Sequence, residues 1–253
     1  MKAMVLAAGL GTRLRPLTND RPKALVTVAG RTLLEMVLTR LRSFGVREAI
    51  VNVHYHADMI CQYLEANQKF GMRIEISRET ELLDTGGGLR QAAWFFLEGG
   101  ESAEPFILHN VDVLSNIDLA LMMRRHREEN PLATLAVQQR QTSRYLLFDE
   151  HGQLCGRRTG PSPGPDPQDE IVRAAAQTQP LAFSGIHVIS PRLLHQMRQE
   201  GAFSIIDAYL QLAARGEKIV AFRADEYYWR DLGRPEHIAE AARDLATGAC
   251  AES

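Results

Sequence analysis

The sequence predicts an α/β fold, a doubly wound sheet between two helical layers. Three observations predict it. Strand, loop and helix alternate from the first residues, giving a βαβαβ order by residue 77. The run Ala49-Ile50-Val51-Asn52-Val53 is the apolar pattern of a parallel strand buried on both faces. Leu33, Leu34, Val37, Leu38 and Leu41 recur at helical spacing between the first two strands.

The opening stretch sets the organisation. Residues 4–8 read as a buried strand, which breaks at once into Gly9-Leu10-Gly11-Thr12-Arg13. Glycines permit positive φ and carry no Cβ, so backbone N–H groups can close around an anion. Arg13, Arg15 and Lys23 add positive charge close to that loop. A strand, a glycine loop and flanking cations together make a phosphate cradle. The spacing is that of neither a P-loop nor a dinucleotide fingerprint, because Leu14 stands where the latter needs its third glycine. Alone, a G-x-G after a strand also describes a tight turn.

The remaining elements follow in order. Residues 24–30 form a short extended piece with a turn, and residues 32–44 a helix stopped by Gly45. Residues 57–67 are a second helix and 73–77 a third strand. His54 and His56 share an i, i+2 face, but no third ligand stands near them, which argues for polar residues at a sheet edge over zinc. Glu79 to Leu89 contains Thr85-Gly86-Gly87-Gly88 ahead of a helical pattern over 90–96. Glycines before a helix leave its first N–H groups approachable, although a glycine run also marks a flexible turn. The apolar strand 105–111 ends at Asp112, at the carboxyl edge where ligands of open α/β sheets gather. Residues 118–127 read as a helix, 133–137 as a strand and 140–158 as an antiparallel hairpin. The Pro/Gly-rich segment 160–168 is expected to be a mobile loop or lid. In the strand 181–190, Gly185 marks a close approach of ligand or backbone. Residues 191–199 and 205–215 are helical and 219–222 a strand. Asp231, flanked by aromatics and followed by Leu232-Gly233, is an unusual surface residue whose carboxylate is expected to have a partner. It is a poor cap for the last helix, 235–245, because Pro235 at the first helical position makes Arg234 the cap.

Composition bounds the function. The 253 residues are 45% hydrophobic and 24% charged, ordinary for a globular protein, with a net charge of -2. That charge supplies no basic field for nucleic acid, and no run approaches the length of a membrane span. Cys61, Cys155 and Cys250 are scattered and odd in number, as expected for a reducing cytoplasm.

The stretch Leu6-Ala7-Ala8-Gly9-Leu10-Gly11-Thr12-Arg13-Leu14-Arg15-Pro16-Leu17-Thr18, ending in Arg21-Pro22-Lys23, resembles the signature of the sugar-1-phosphate nucleotidyltransferases. The likeness extends from residue 1 to about 245, weakest over 141–179, and leans to the short bacterial N-acetylmuramate-1-phosphate uridylyltransferases. Mannose- and heptose-1-phosphate guanylyltransferases are similar too. The resemblance implies a Rossmann-like α/β/α fold with a mixed, mainly parallel sheet and a small β-hairpin insertion. It implies one domain over 1–246, with a nucleotide half (1–139), a sugar half (140–246) carrying a flexible loop at 159–170, and a tail at 247–253. The activity implied is transfer of a nucleotidyl group from an NTP, UTP favoured, to a sugar 1-phosphate, with release of pyrophosphate.

The same resemblance assigns roles. Leu6, Ala8, Gly9, Gly11 and Thr12 would wrap the triphosphate, Arg13 would stabilise the leaving pyrophosphate, and Lys23 would hold the attacking and α-phosphate oxygens. Thr85 with Gly86, Gly87 and Gly88 would meet the base, with Glu79 and Glu81 weaker candidates. Asn110 and Gly185 would face the sugar. Asp112 and Asp231 would hold Mg²⁺, which takes hard oxygens and shares them with phosphate. Val111 stands where the relatives often have glycine, which would strain a backbone needing positive φ. A non-catalytic nucleotide-sugar sensor is the rival reading, and retention of Arg13, Lys23, Asp112 and Asp231 favours the enzyme. NTP and sugar 1-phosphate are the expected partners, with no nucleic acid or membrane; the oligomeric state is not legible.

Overall fold

A computed structural model describes residues 1–98, 104–160 and 168–250. The chain opens with β1 (Lys2–Leu6), single 3-10 turns at Thr12–Leu14 and Lys23–Leu25, and the short hairpin β2 (Thr27–Val28) and β3 (Arg31–Thr32). Then come α1 (Leu33–Ser43), β4 (Glu48–Val53), α2 (Ala57–Ala66) and β5 (Arg73–Arg78). The middle contains α3 (Asp84–Gln91), α4 (Ala93–Leu97), β6 (Phe106–Asn110), β7 (Val113–Ser115), α5 (Leu119–Glu129) and β8 (Ala133–Gln138). The rest is β9 (Arg144–Phe148), β10 (Leu154–Thr159), β11 (Gln168–Ile171), β12 (Gln179–Ile189), α6 (Arg192–Gln196), α7 (Ile205–Ala214), β13 (Ile219–Arg223), β14 (Trp229–Asp231) and α8 (Pro235–Ala246).

Local chemistry explains the helix starts. The Thr32 hydroxyl accepts from the Glu35 N–H at 3.1 Å and caps α1. Asp118 caps α5 through the Leu121 N–H at 2.9 Å, and Ser204 caps α7 through Ile206 at 3.2 Å. Pro235 begins α8, so Asp231 is free of a capping role there.

The main sheet is mixed. Its central block is parallel, with β1 between β6 and β4 and β5 outside β4. The 11-residue β12 runs antiparallel to β6, β8 and β9 and so joins that block to the hairpin. The hairpin is β9–β10, extended by β11. Two cores cover the sheet's faces. Ala3, Val5, Ala49, Val51 and Ile107 point to α1, α2 and α5. Met4, Ile50, Phe106 and Leu108 point to α3, α4, α6 and α7. The residues of each strand alternate between the two, as the pleat requires, and three layers result.

Several boundaries differ from expectation. The first strand covers 2–6, not 4–8, because the Ala7 N–H leaves the ladder and donates to Asn52 Oδ1 at 2.7 Å. The helix expected over 90–96 is two helices, and the first begins at Asp84, so the glycine run lies inside it. The helix expected over 191–199 covers only Arg192–Gln196. Of the loop expected over 159–170, Thr159 and residues 168–170 are strand. Residues 161–167, like 251–253 of the tail, lie outside the described residues. No helix among the described residues is long and apolar enough to cross a membrane.

Three histidines are sealed in the interior. Burial pulls His109 down to about 4, with Arg40 adding to it and Asp112 opposing. Burial does the same to His126, to about 4, and to His187, to about 3. A folded value below the unfolded 6.5 means that the unfolded chain binds protons the native state refuses. Stability should therefore fall as pH drops from 6.5 toward 4, by up to about 1.4 kcal/mol per pH unit for each such histidine. Urea midpoints at pH 7, 5.5 and 4.5 check this, and a level midpoint across that range would contradict it.

Candidate active site

The C-terminal ends of β1 and β6 lie side by side in the sheet and release the two opening motifs together. Leu6 pairs with Asn110 across the ladder, and the Val111 N–H donates to Leu6 O at 3.1 Å. Val111 has no left-handed φ, and its side chain is buried in the core, so valine replaces the expected glycine without strain. Gly11 does need its freedom. It lies at φ +65°, and a Cβ there would come within 3.0 Å of Thr18 and 3.1 Å of Lys23. The Thr18 hydroxyl donates to Gly11 O at 2.8 Å and pins the turn. Thr12 is exposed in the 3-10 turn that follows.

Two cavities meet at this edge. One of about 220 Å³ is lined by residues that include Leu6, Ala8, Gly9, Lys23, Asn52 and Glu79. The other, of about 730 Å³, is bordered by Gly185, Trp229, Asp231 and a group of arginines. Asp84, Thr85, Asn110 and Asp112 belong to both walls and form the seam.

Lys23 and Asp112 form a direct ion pair, their side chains 12% and 18% exposed. Asp231 reaches the seam through an element absent from the sequence reading. β14 pairs antiparallel with β7, placing Asp231 opposite Val113, and the Leu232 N–H donates to Asp112 O at 2.8 Å. Two aspartates 119 positions apart, 231 less 112, are thus fastened by one backbone bond. Asp231 Oδ1 accepts from the Gly233 N–H at 2.6 Å. A Cβ at Gly233 would come within 2.7 Å of that oxygen and 3.2 Å of Arg13 Nη2, so Arg13 also stands beside Asp231.

The donor set suits a hard cation. Among the described residues, Asp112 Oδ1 and Asp231 Oδ2 have no protein partner. Two carboxylates that leave coordination sites for phosphate oxygens are the pattern for Mg²⁺. No group of three or more His, Cys, Asp or Glu able to hold a metal occurs among the described residues. His54 Nδ1 lies 3.0 Å from Glu79 O, and His56 occupies a left-handed position ahead of α2.

The glycine run lies inside α3. Gly86, Gly87 and Gly88 are buried and border neither cavity. The Gly86 and Gly87 N–H groups already donate to Phe203 O, at 2.9 and 3.3 Å. A Cβ at Gly86 would fall 2.3 Å from the Phe203 ring, and one at Gly87 2.4 Å from Gly201 O. The run is smooth because another loop lies on it. The wall that faces the cavities is Asp84, at φ +57°, and Thr85, whose hydroxyl accepts from the Ile205 N–H at 2.9 Å.

Glu79 lines the small cavity but is only 3% exposed. It accepts from Asn52 Nδ2 at 2.6 Å and from the Leu83 N–H at 3.1 Å. Asn52 in turn holds Ala7, so one relay fastens the ends of β1 and β4 to the approach to α3. Glu81 is exposed and borders neither cavity. Asn52 escaped notice in the sequence, although a lone polar residue in the run 49–53 was the available signal. Asn52→Leu would leave a buried N–H and a buried carboxylate without their partner. It is expected to cost about 2–4 kcal/mol, measured by urea unfolding.

Gly185 packs tightly against the side chains of Asn110 and Val113. It lies at φ +74° where β12 shifts register, and a Cβ there would come within 2.8 Å of Asn110 Nδ2 and 2.9 Å of Val113. The large cavity's cations are Arg140, Arg144, Arg157 and Arg158. Arg157 is balanced by Glu170 and Asp207, and Arg158 by Asp169. Arg144 and Arg140 have no carboxylate partner among the described residues, and Arg140 was invisible to motif reading. Burial pulls its guanidinium below the usual arginine range, and Asp231 opposes that pull.

The sequence profile of the Nucleotidyl transferase family matches residues 2–153. The chain is 35% identical to the N-acetylmuramate alpha-1-phosphate uridylyltransferase of Caulobacter vibrioides, over 96% of each chain. It is 27% identical to the mannose-1-phosphate guanylyltransferase catalytic subunit beta of Dictyostelium discoideum, covering 93% of this chain and 62% of that protein. In fold it is similar to HddC from Yersinia pseudotuberculosis complexed with GMP-PN, with a TM-score of 0.73 and 22% identity over 96% of this chain and 99% of that one.

Proposed function

Since the chain belongs to the nucleotidyl transferase family, we propose that it transfers a uridylyl group from UTP to N-acetylmuramate 1-phosphate, releasing pyrophosphate. Sugar-1-phosphate nucleotidyltransferase activity is the family-level statement; the base, the sugar and the metal are the proposal. The observation that carries it is the charged seam. Lys23, Asp112 and Asp231 stand where a small cavity beside the glycine loop opens into a larger one. Two substrates that react at a phosphorus need this layout.

A sugar phosphate is ionised near neutral pH, so no Ser or Cys nucleophile is required. Catalysis is positioning and charge stabilisation. The loop at Ala8, Gly9, Gly11 and Thr12 would hold the triphosphate, and Asp84 and Thr85 would border the base. Lys23 would exchange Asp112 for phosphate oxygens on the attacking and α-phosphates, while Arg13 would offset charge on the departing pyrophosphate. Asp112 and Asp231 would hold Mg²⁺, which when bound supplies Lewis-acid stabilisation of the phosphoryl oxygens. Asn110 and Gly185 would border the sugar.

The sugar assignment is supported by the unbalanced Arg144 in the large cavity. N-acetylmuramate carries a carboxylate, which a guanidinium recognises well. A mannose- or heptose-1-phosphate guanylyltransferase is the second reading, supported by the guanylyltransferase among the relatives. Pyrophosphate release with Mg²⁺ across UTP, GTP, CTP and dTTP against N-acetylmuramate, N-acetylglucosamine, mannose, glucose and heptose 1-phosphates tests both. Preference for UTP with N-acetylmuramate 1-phosphate is expected. Preference for GTP with mannose or heptose 1-phosphate would replace it, and binding of NTP without turnover on any pair would favour the sensor.

A further inference from the structure

Arg140 is held in an unusual way. It follows β8 and lines the large cavity with Asp112 and Asp231. Its guanidinium carbon stacks 3.7 Å from the centre of the Trp229 ring. Trp229 is itself fixed, its indole N–H donating to Ser184 O at 2.7 Å. Arg140 Nη2 donates to Phe183 O at 2.7 Å. No other hydrogen bond from the guanidinium is made among the described residues, and Nε is buried without an acceptor.

A buried, unpaired N–H on a charged group is costly and rare, and it marks Arg140 as a side chain held in place for a reason other than its own hydrogen bonds. The ring beneath and the carbonyl beside it prevent Arg140 from swinging to solvent for relief. Its planar fork is therefore presented to the cavity in one orientation, which suits the oxygens of a phosphate. The need for charge is local. Asp112 and Asp231 make that end of the cavity acidic, and Lys23 is already committed to Asp112. Arg13, beside Asp231, is assigned to the pyrophosphate, so a dianionic sugar phosphate approaching the two carboxylates gains from a further cation. Arg157 and Arg158 are occupied by their own carboxylates.

We propose that Arg140 binds the phosphoryl group of the sugar 1-phosphate, a reading that rests on the nucleotidyl-transfer function above. Arg144, on the hairpin, then remains for the sugar itself.

Three probes separate the sources of an anion. N-acetylmuramate 1-phosphate has both phosphate and carboxylate, N-acetylglucosamine 1-phosphate has only phosphate, and free N-acetylmuramate has only carboxylate. The chain's tryptophans are Trp94 and Trp229, so Trp94→Phe leaves Trp229 as the reporter of Arg140. In that background, both sugar phosphates should perturb Trp229 emission. Arg140→Gln should weaken both, and raise KM for N-acetylmuramate 1-phosphate, by about 10- to 100-fold, the range for a charge-assisted hydrogen bond. KM for UTP and the affinity for free N-acetylmuramate should stay unchanged. Arg140→Lys should recover part of the loss, and it serves as the deciding variant if Arg140→Gln proves unfolded by circular dichroism.

Loss confined to the carboxylate-bearing probes, an equal rise in KM for UTP, or unchanged affinity for N-acetylglucosamine 1-phosphate would overturn the proposal. Absence of turnover in the wild-type protein would remove the enzymatic reading instead. The fluorescence titrations would still decide Arg140.

Discussion

Asp112→Asn should lower kcat/KM for nucleotidyl transfer by roughly 10³-fold, the scale of several kcal/mol of metal-borne charge stabilisation. The substitution keeps the shape of the side chain and removes its charge. It would also leave the Lys23 ammonium, 12% exposed, without its anion. What remains of the activity should rise little with Mg²⁺, because Asp231 alone would hold the ion. Steady-state pyrophosphate release over a Mg²⁺ titration measures both quantities. Wild-type activity with wild-type Mg²⁺ dependence would remove Asp112 from the metal site.

Lys23→Met should cost about 10²- to 10³-fold in rate, by analogy with loss of one preorganised donor to a developing oxyanion. Its Mg²⁺ dependence should move in the opposite direction. With Lys23 gone, the Asp112 carboxylate is no longer neutralised, so half-saturation should come at a lower Mg²⁺ concentration. Opposite displacements of the Mg²⁺ midpoint in two variants of one ion pair are hard to obtain from general damage to the fold. The double variant should be no less stable than the worse single one, since a pair removed together leaves neither charge buried alone. A Lys23→Met enzyme with full turnover would show that the pair is merely structural.

The sheet and its two helical layers were legible because they rest on local periodicity. The runs at 49–53 and 105–111 gave strands, and the leucines of 33–41 gave a helix, with boundaries shifted by a few residues. The end of β6 placed Asp112, and Gly185, a glycine in an apolar strand, sits at the register shift of β12. The sequence did not expose what depends on distant pairing. The β7–β14 ladder that fastens Asp231 beside Asp112 is three residues long on each side, too short for a periodic signal. Asn52 and Glu79 act by meeting each other, 27 positions apart. Arg140 gains meaning only from Trp229, brought over it by the return of the chain.

The glycines of α3 carry a consequence for mutational scanning. Substitutions at Gly86 and Gly87 meet Phe203 and the Gly201 carbonyl at distances no side chain tolerates. In a library selected for activity, these positions would score as intolerant as Asp112. A heat map alone would then draw the catalytic centre around residues that let the 201–203 segment rest on α3. Pairing the activity score with an abundance score would separate the groups. Variants at 86 and 87 should vanish from both, whereas those at 23, 112 and 231 should stay abundant and inactive.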